Sequence, residues 1–257
     1  MLPSCDLPRY FFAELSSTNT QAWEMIDQGI APPFVVVANQ QTAGRGQWGR
    51  VWQSNPGGVY LSMAIAFDFG IACSPHLTIL AAWGIADALR QAKIPVVLKW
   101  PNDLILSGRK LGGIKTEIRS QTGQISQAVI GVGINVGNAV PETAIALQQY
   151  HQSLATPYII ETPLLLSQIE TLTVQGLICG YQSYLNQGIE PILKAYSQII
   201  VNINQEFTFQ GMTGVITGIN DQGELIVRLR SLGARTEICL PIGSIQLGYD
   251  ALTSNDG

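Results

Sequence analysis

Three glycines and two arginines are packed into AGRGQWGRVW, residues Ala43 to Trp52. Glycine lets a backbone approach an anion closely and change conformation, and a guanidinium grips phosphate or carboxylate with two parallel hydrogen bonds. Gly44, Gly46 and Gly49 with Arg45 and Arg50 therefore predict a flexible anion-binding flap. An ordinary glycine-rich β-loop with solvated arginines accounts for this segment equally well. Further on, KWPNDLIL places Lys99, Asn102 and Asp103 at a strand-to-turn junction, and GRKLGGIK adds Arg109, Lys110 and the Gly112, Gly113 pair. Cations and a carboxylate beside an approachable backbone suit a phosphorylated substrate, although a Pro-Asn-Asp turn with solvated lysines is the plainer account of that stretch alone. In GVGINVG, Asn135 is the one polar side chain; a buried strand there would need a partner for it. In SSTN, helix capping by Thr18 leaves Ser17 and Asn19 to bind something.

The flap sequence also fits two glycine-rich nucleotide patterns, and its context excludes both. A dinucleotide fingerprint needs a helix after the tight turn, so that the helix N-terminus faces the pyrophosphate. Here RVWQSNPGGVYLSMAI follows, and Pro56, Gly57 and Gly58 forbid that helix. A kinase loop needs V-A-I-K, H-R-D and D-F-G elsewhere, and none is present. No glycine leads into Gly-Lys-Ser/Thr, which removes a Walker loop. Gly131, Gly133 and Gly137 have the wrong last spacing for a dinucleotide loop.

The elements that must position these groups follow from periodicity. SSTNTQAWEMIDQG reads as a short helix with capping-box spacing from Thr18 to Gln21 and a stop at Gly29. FVVVANQQTA and GGVYLSMAIAF read as strands on either side of the flap. Ser74 and Pro75 form a cap and first-turn pair for a helix that stripes Leu77, Leu80, Trp83, Ile85, Ala88 and Leu89. VVLKWPNDLIL, KLGGIKTEIRS and QAVIGVGINVG are three β-rich runs separated by turns at Pro101 to Asp103, Ser107 to Gly108 and Gln121 to Gly123. Thr162 and Pro163 open another helical region, extended by IEPILKAYSQII. Beyond Val201 the texture becomes short alternating segments with the hairpin signal NDQG, which predicts a small all-β domain with its boundary near residues 200 to 206.

A chain of 257 residues, 46% hydrophobic, is long enough for one large domain plus a small one. Charged residues are 12% and the net charge is -4, so no global basic field draws it to nucleic acid or anionic lipid. With no leader or spanning segment in view, a cytoplasmic protein is expected. Cys5, Cys73, Cys179 and Cys239 lie far apart, and His76 and His151 are the only histidines, so a zinc cluster is not expected; reduced thiols, mostly buried as small apolar groups, are.

Taken in order, the motifs S-T-N, G-R-G-x-x-G-R-x-W, K-W-P-N-D, R-K-L-x-G-I and G-x-G-I-N-V resemble the signature of the biotin protein ligases over about residues 10 to 137. The resemblance implies an α+β fold: a mixed, largely antiparallel sheet with packed helices, of the class II aminoacyl-tRNA synthetase and biotin synthetase type, over residues 1–203. A small SH3-like β-barrel over 204–257 would follow, with GSIQLG in a closing position. It implies a two-step reaction, in which biotin and ATP give biotinyl-5'-AMP and pyrophosphate, and a lysine of a biotin carboxyl carrier protein of acetyl-CoA carboxylase then takes the biotin.

By the same resemblance the catalytic residues are Lys110, Arg45 and Asp103, the last positioning or deprotonating the incoming lysine. Ser17, Thr18, Asn19, Gln41, Gly44, Arg45, Gly46, Lys110 and Gly113 would hold biotin. Arg45, Arg50, Trp52, Lys99, Asn102, Lys110 and Asn135 would hold ATP, with Trp52 against adenine. Magnesium would pair with the ATP phosphates, and no protein ligand for it is assigned. Two departures stand out: Gln47 occupies a flap position where many members carry arginine, and only about nine residues precede Tyr10, which implies a monofunctional ligase without operator binding. No DNA or membrane partner is expected, and a monomer or a homodimer is. The rival readings are a lipoate protein ligase and a non-catalytic biotin-binding module; the flap and KWPND favour biotin, and the phosphate-facing cations favour an enzyme.

Overall fold

The computed structural model describes residues 7–154, 162–209, 212–230, 236–245 and 247. Seven strands form one sheet: β1 (Arg9–Leu15), β2 (Phe34–Gln41), β3 (Val59–Gly70), β4 (Val97–Lys99), β5 (Asp103–Leu106), β6 (Arg109–Gln121) and β7 (Gln124–Ile134), in the order β1-β2-β3-β7-β6-β5-β4. Only β1 and β2 are parallel; every other neighbouring pair is antiparallel. The expected mixed, largely antiparallel sheet is therefore present.

Side chains alternate across a strand, so each strand feeds two layers. Val35 and Val37 of β2, Leu61, Met63 and Ile65 of β3, and Ile130, Val132 and Ile134 of β7 face the main core. That core is closed by α2 (Ser74–Gln91), α4 (Thr162–Gln187) and α5 (Glu190–Ser197). Phe34, Val36, Ala64 and Val129 point the other way, onto Ala22, Met25 and Ile26 of α1 (Thr18–Asp27). α2 and α4 touch backbone to backbone: a Cβ on Gly84 would lie 2.1 Å from the Gly176 carbonyl oxygen. α2 is consequently buried around most of its first half, including His76, Thr78 and Ala82, a wider face than the predicted stripe.

Three boundaries differ from expectation. The N-cap of α1 is Ser17, not Thr18, and it makes no side-chain capping bond, because Thr18 is already inside the helix and bonded elsewhere. Cys73 rather than Ser74 caps α2, since a 3-10 turn at Ile71–Cys73 leads directly into it. β1 and the short α3 (Leu147–Gln152) are elements that the periodicity did not indicate. Gly29, at φ +89°, follows α1 as expected.

β8 (Glu206–Phe209), β9 (Met212–Ile219), β10 (Leu225–Leu229) and β11 (Thr236–Leu240) form a second, antiparallel sheet in the order β11-β10-β9-β8, with no closing pair among the described residues. NDQG is the β9–β10 turn: Asn220 Oδ1 accepts hydrogen bonds from Gln222 N and Glu224 N. Ile216, Leu225, Val227, Leu229 and Leu240 join the same hydrophobic cluster as the large sheet. Gln246 and Gly248 of the predicted closing segment GSIQLG lie outside the described residues, as does Cys5. The other cysteines are not buried as expected: Cys73 is half-buried, and Cys179 and Cys239 are exposed. Among the described residues, no helix is long and apolar enough to cross a membrane.

Candidate functional site

Strand register lays the chemistry out in rows. Lys99 lies opposite Asp103, Asp103 opposite Gly113, and Gly113 opposite Gly133, so the four share one face of the sheet. A neighbouring row runs from Lys115 through Gly131 to Ser62. Both rows point away from the main core. The glycines matter because they clear space: a Cβ at Gly131 would stand 2.1 Å from Asn19 Oδ1, and one at Gly133 would stand 2.4 Å from Trp52 Nε1. GVGINV is thus a strand with a bulky core face and a bare site face.

Lys110 reaches that site face through a bulge. Leu104 pairs with Gly112 but Ile105 pairs with Lys110, so Leu111 is an extra residue on β6. Leu111 turns into the main core and Lys110 is re-aimed toward Asp103, with Nζ to Oδ1 at 2.6 Å. The resulting cavity, about 340 Å³, is lined by every predicted site residue except Gly44. Gly44 lies behind the cavity wall, where a Cβ would come within 2.5 Å of the Trp52 carbonyl oxygen.

One end of the cavity is polar and neutral. Gln41 Oε1 accepts hydrogen bonds from Thr18 N at 2.8 Å and Thr18 Oγ1 at 3.2 Å, while Gln41 Nε2 donates to Ser54 Oγ at 2.7 Å. Fully buried Ser62 Oγ lies 2.7 Å from both Thr18 Oγ1 and Asn19 Oδ1. Asn19 Nδ2, buried, has no protein partner among the described residues, and neither has Trp52 Nε1.

The other end is cationic. Lys110 Nζ sits 5.4 Å from the centroid of the Trp52 ring. Lys99 is buried, donates to the Leu247 carbonyl at 2.5 Å, and is pushed down to about 8 by burial, with Lys110 and Arg50 adding to the effect and Asp103 opposing it. Asn135 finds the partner it needs in Asn138, whose Nδ2 donates to Asn135 Oδ1 at 3.0 Å. Asn102 donates to the Ile114 carbonyl at 2.7 Å, which ties the turn to β6. That turn is clamped from behind: Asn202 Oδ1 accepts from Trp100 N, the Gly223 carbonyl accepts from Trp100 Nε1, and Tyr196 donates to the Pro101 carbonyl.

The flap is a small hairpin, bridged at Arg45 and Val51 and at Gln41 and Ser54. Its tip, Gln47–Gly49, is a 3-10 turn with Trp48 at φ +59°. The Trp48 ring covers Gly243, in the turn that follows β11. Arg45 Nη2 donates to Thr20 Oγ1 at 2.9 Å and lies 3.8 Å from Glu117. Lys115 Nζ donates to the Gly46 carbonyl at 3.2 Å and lies 3.4 Å from the same carboxylate, which also accepts from Trp23 Nε1 at 2.8 Å.

Sequence reasoning missed Ser54, Ser62, Asn138, Lys115 and Glu117. Ser62 was findable as a polar interruption of an apolar strand, and Asn138 as a second amide three residues from Asn135. Lys115 and Glu117 had no local signal, because a strand with one polar face looks solvated until a flap covers it. Altogether the cavity can hold a neutral head group at one end and two joined anionic groups at the other, under a lid carrying guanidinium groups.

Residues 11–135 match the model of the family described as "Biotin/lipoate A/B protein ligase family". The "Bifunctional ligase/repressor BirA" of Bacillus subtilis is 31% identical over 224 residues, which cover 83% of this chain and 67% of that one. The "Biotin--[acetyl-CoA-carboxylase] ligase" of Paracoccus denitrificans is 28% identical over 228 residues, covering 84% and 92%. Among solved structures, a biotin protein ligase from Aquifex aeolicus in complex with biotin and ATP aligns at a TM-score of 0.67 and 20% identity, covering 90% of this chain and 98% of that one, and so shares the fold. On the identity to the Bacillus ligase and the matched segment that carries the motifs, the chain belongs to the biotin/lipoate A/B protein ligase family and, within it, to the biotin protein ligases.

Proposed function

We infer that this protein is an ATP-dependent biotin protein ligase. It joins the carboxylate of biotin to the α-phosphate of ATP, releasing pyrophosphate, and passes the biotinyl group from biotinyl-5'-AMP to a lysine of a biotin carboxyl carrier protein. The observation that carries the reading is the 2.6 Å pair of Lys110 and Asp103, with buried Lys99 beside it, at the far end of a cavity from the Thr18, Gln41 and Ser62 network. Joining two anions requires their repulsion to be screened and the charge growing on the phosphoryl oxygens to be met by preorganised cations. Lys110 fills that role, with Arg45 and Arg50 on the lid. The neutral end offers donors and acceptors, including the unpartnered Asn19 Nδ2, which suit a ureido group and would be wasted on the dithiolane of lipoate. Asp103 then faces the incoming lysine amine, which must lose a proton to attack the activated carbonyl; AMP leaves as the amide forms.

We further propose that Trp52 lies against adenine, that Asn135 and Asn102 contact the nucleotide side, and that Ser17, Gly46 and Gly113 border biotin. Mg²⁺ is proposed to travel with the ATP phosphates, whose oxygens are the hard donors it prefers. Residues 204–257 are proposed as an SH3-like domain beside a catalytic domain of 1–203, a reading that the antiparallel order of β8 to β11 supports. Dependence on ATP supports a cytoplasmic location, the acceptor is proposed to be the carrier of acetyl-CoA carboxylase, and the working unit a monomer or homodimer without a nucleic-acid partner. The deciding experiment incubates the protein with biotin, ATP, magnesium and a biotin carrier domain. A mass gain of one biotinyl group on the carrier lysine is expected, and an unmodified carrier overturns the reading.

A further inference from the structure

Gln47 leaves the flap without the cation that many relatives are expected to carry there, and the structure holds a lysine that reaches the same place from below. Lys115 belongs to the row of Gly131 and Ser62, so its stem leaves β6 on the site face. Its ammonium donates to the Gly46 carbonyl at 3.2 Å and is steadied by Glu117 at 3.4 Å. Gln47 cannot do this work: Nε2 makes a 3.4 Å bond to the Ile114 carbonyl, and buried Oε1 has no partner among the described residues.

A second charged tie between flap and sheet, Arg45 to Glu117, is longer at 3.8 Å, and its guanidinium is half exposed. An exposed pair at that distance is weak, whereas a charge-assisted bond from a mostly covered ammonium to a backbone carbonyl is not. Glu117 is held independently by Trp23, so it stays in place if Arg45 turns to a phosphoryl oxygen. The labour divides: Arg45 is available to the ligand while Lys115 holds the flap backbone.

We propose that Lys115 is a positioning residue that fastens the flap through Gly46 and thereby retains the acyl-adenylate, in the place of the missing flap arginine. The proposal rests on the ligase reading above. Its test compares wild type, Lys115→Met and Lys115→Arg, each checked for matching thermal unfolding, with biotin and ATP but no acceptor. Two rates are read: formation of biotinyl-5'-AMP and its escape into solution. Lys115→Met should raise escape by about tenfold beyond any change in formation, the effect of losing one charge-assisted hydrogen bond, and Lys115→Arg should restore most of the retention. Equal retention by wild type and Lys115→Met overturns the role of Lys115 while leaving the ligase reading intact, and so does a Lys115→Arg variant that leaks as freely as Lys115→Met. A wild type that forms no biotinyl-5'-AMP overturns the ligase reading, and this proposal with it.

Discussion

Lys110 and Asp103 meet at 2.6 Å because β6 carries one residue more than its partner β5 at that point. Were Leu111 an ordinary paired residue instead of a bulge, strand alternation would send Lys110 into the hydrophobic core. The pair is preorganised, with its carboxylate end on a mostly buried strand, so that little reorganisation precedes reaction. Lys110→Ala is therefore expected to slow adenylation by about 10² to 10³, the usual loss for one strong transition-state donor. Biotin-dependent exchange of pyrophosphate into ATP measures it. A near-normal rate would mean that another cation of the cavity, such as Lys99, does this work.

The role proposed for Asp103, at the acceptor amine, separates the two steps by experiment. It neighbours Lys110, and it contributes with burial to holding the Tyr196 phenol well above its ordinary range. If the carboxylate takes the proton of the acceptor amine, Asp103→Asn should form biotinyl-5'-AMP at a rate within a few-fold of wild type while transfer to a carrier domain falls by about 10². Single-turnover transfer from preformed adenylate isolates that step. Equal losses in both steps would make Asp103 a support for Lys110 alone.

The motif-bearing strands and the large helices were legible because each has a strong period and hard stops. FVVVANQQ alternates between two buried layers, and Gly29, Pro75 and NDQG end or begin elements by backbone chemistry. β1 was not legible: RYFFAEL lies at the sheet edge and leaves Phe11 66% exposed, so its apolar residues do not sort onto one face. The candidate site divides the same way. Residues inside motifs could be named from the chain, but the bulge at Leu111 exists only in the pairing of β5 with β6. The clamp on the Trp100 turn joins Asn202 and Gly223 across more than a hundred positions, and no local pattern marks either one.

Lys99 gives the site a pH dependence with a definite sign. Its ammonium is held near 8 by burial, and the charged groups around it are Lys110, Arg50 and Asp103. Below about 8 it is a cation that attracts the triphosphate; as pH rises through that value the charge is lost well before an ordinary lysine would lose it. The kcat/KM for ATP, which reports groups of the free enzyme, should therefore fall on the alkaline side with an apparent pKa near 8. In Lys99→Met the value should be lower below about 8, where wild type carries the charge, and flat across that interval. An unchanged alkaline limb in the variant would assign the titration to another group.

The bare face of β7 makes the last prediction. Gly131 has room for no side chain, since a Cβ would stand 2.1 Å from Asn19 Oδ1 and 3.2 Å from Asn19 Nδ2. Asn19 is buried and also held by Ser62, so it can yield only by giving up that bond or by lifting α1. Either movement displaces the neutral end of the cavity and leaves the cationic end, anchored on β4 to β6, where it was. Gly131→Ala should raise the KM for biotin by about tenfold, equivalent to about 1.4 kcal/mol, with a much smaller change in the KM for ATP. The asymmetry is the informative quantity. A general loss of packing would raise both constants together and lower the urea midpoint, whereas displacement of one amide should appear almost entirely in the biotin term.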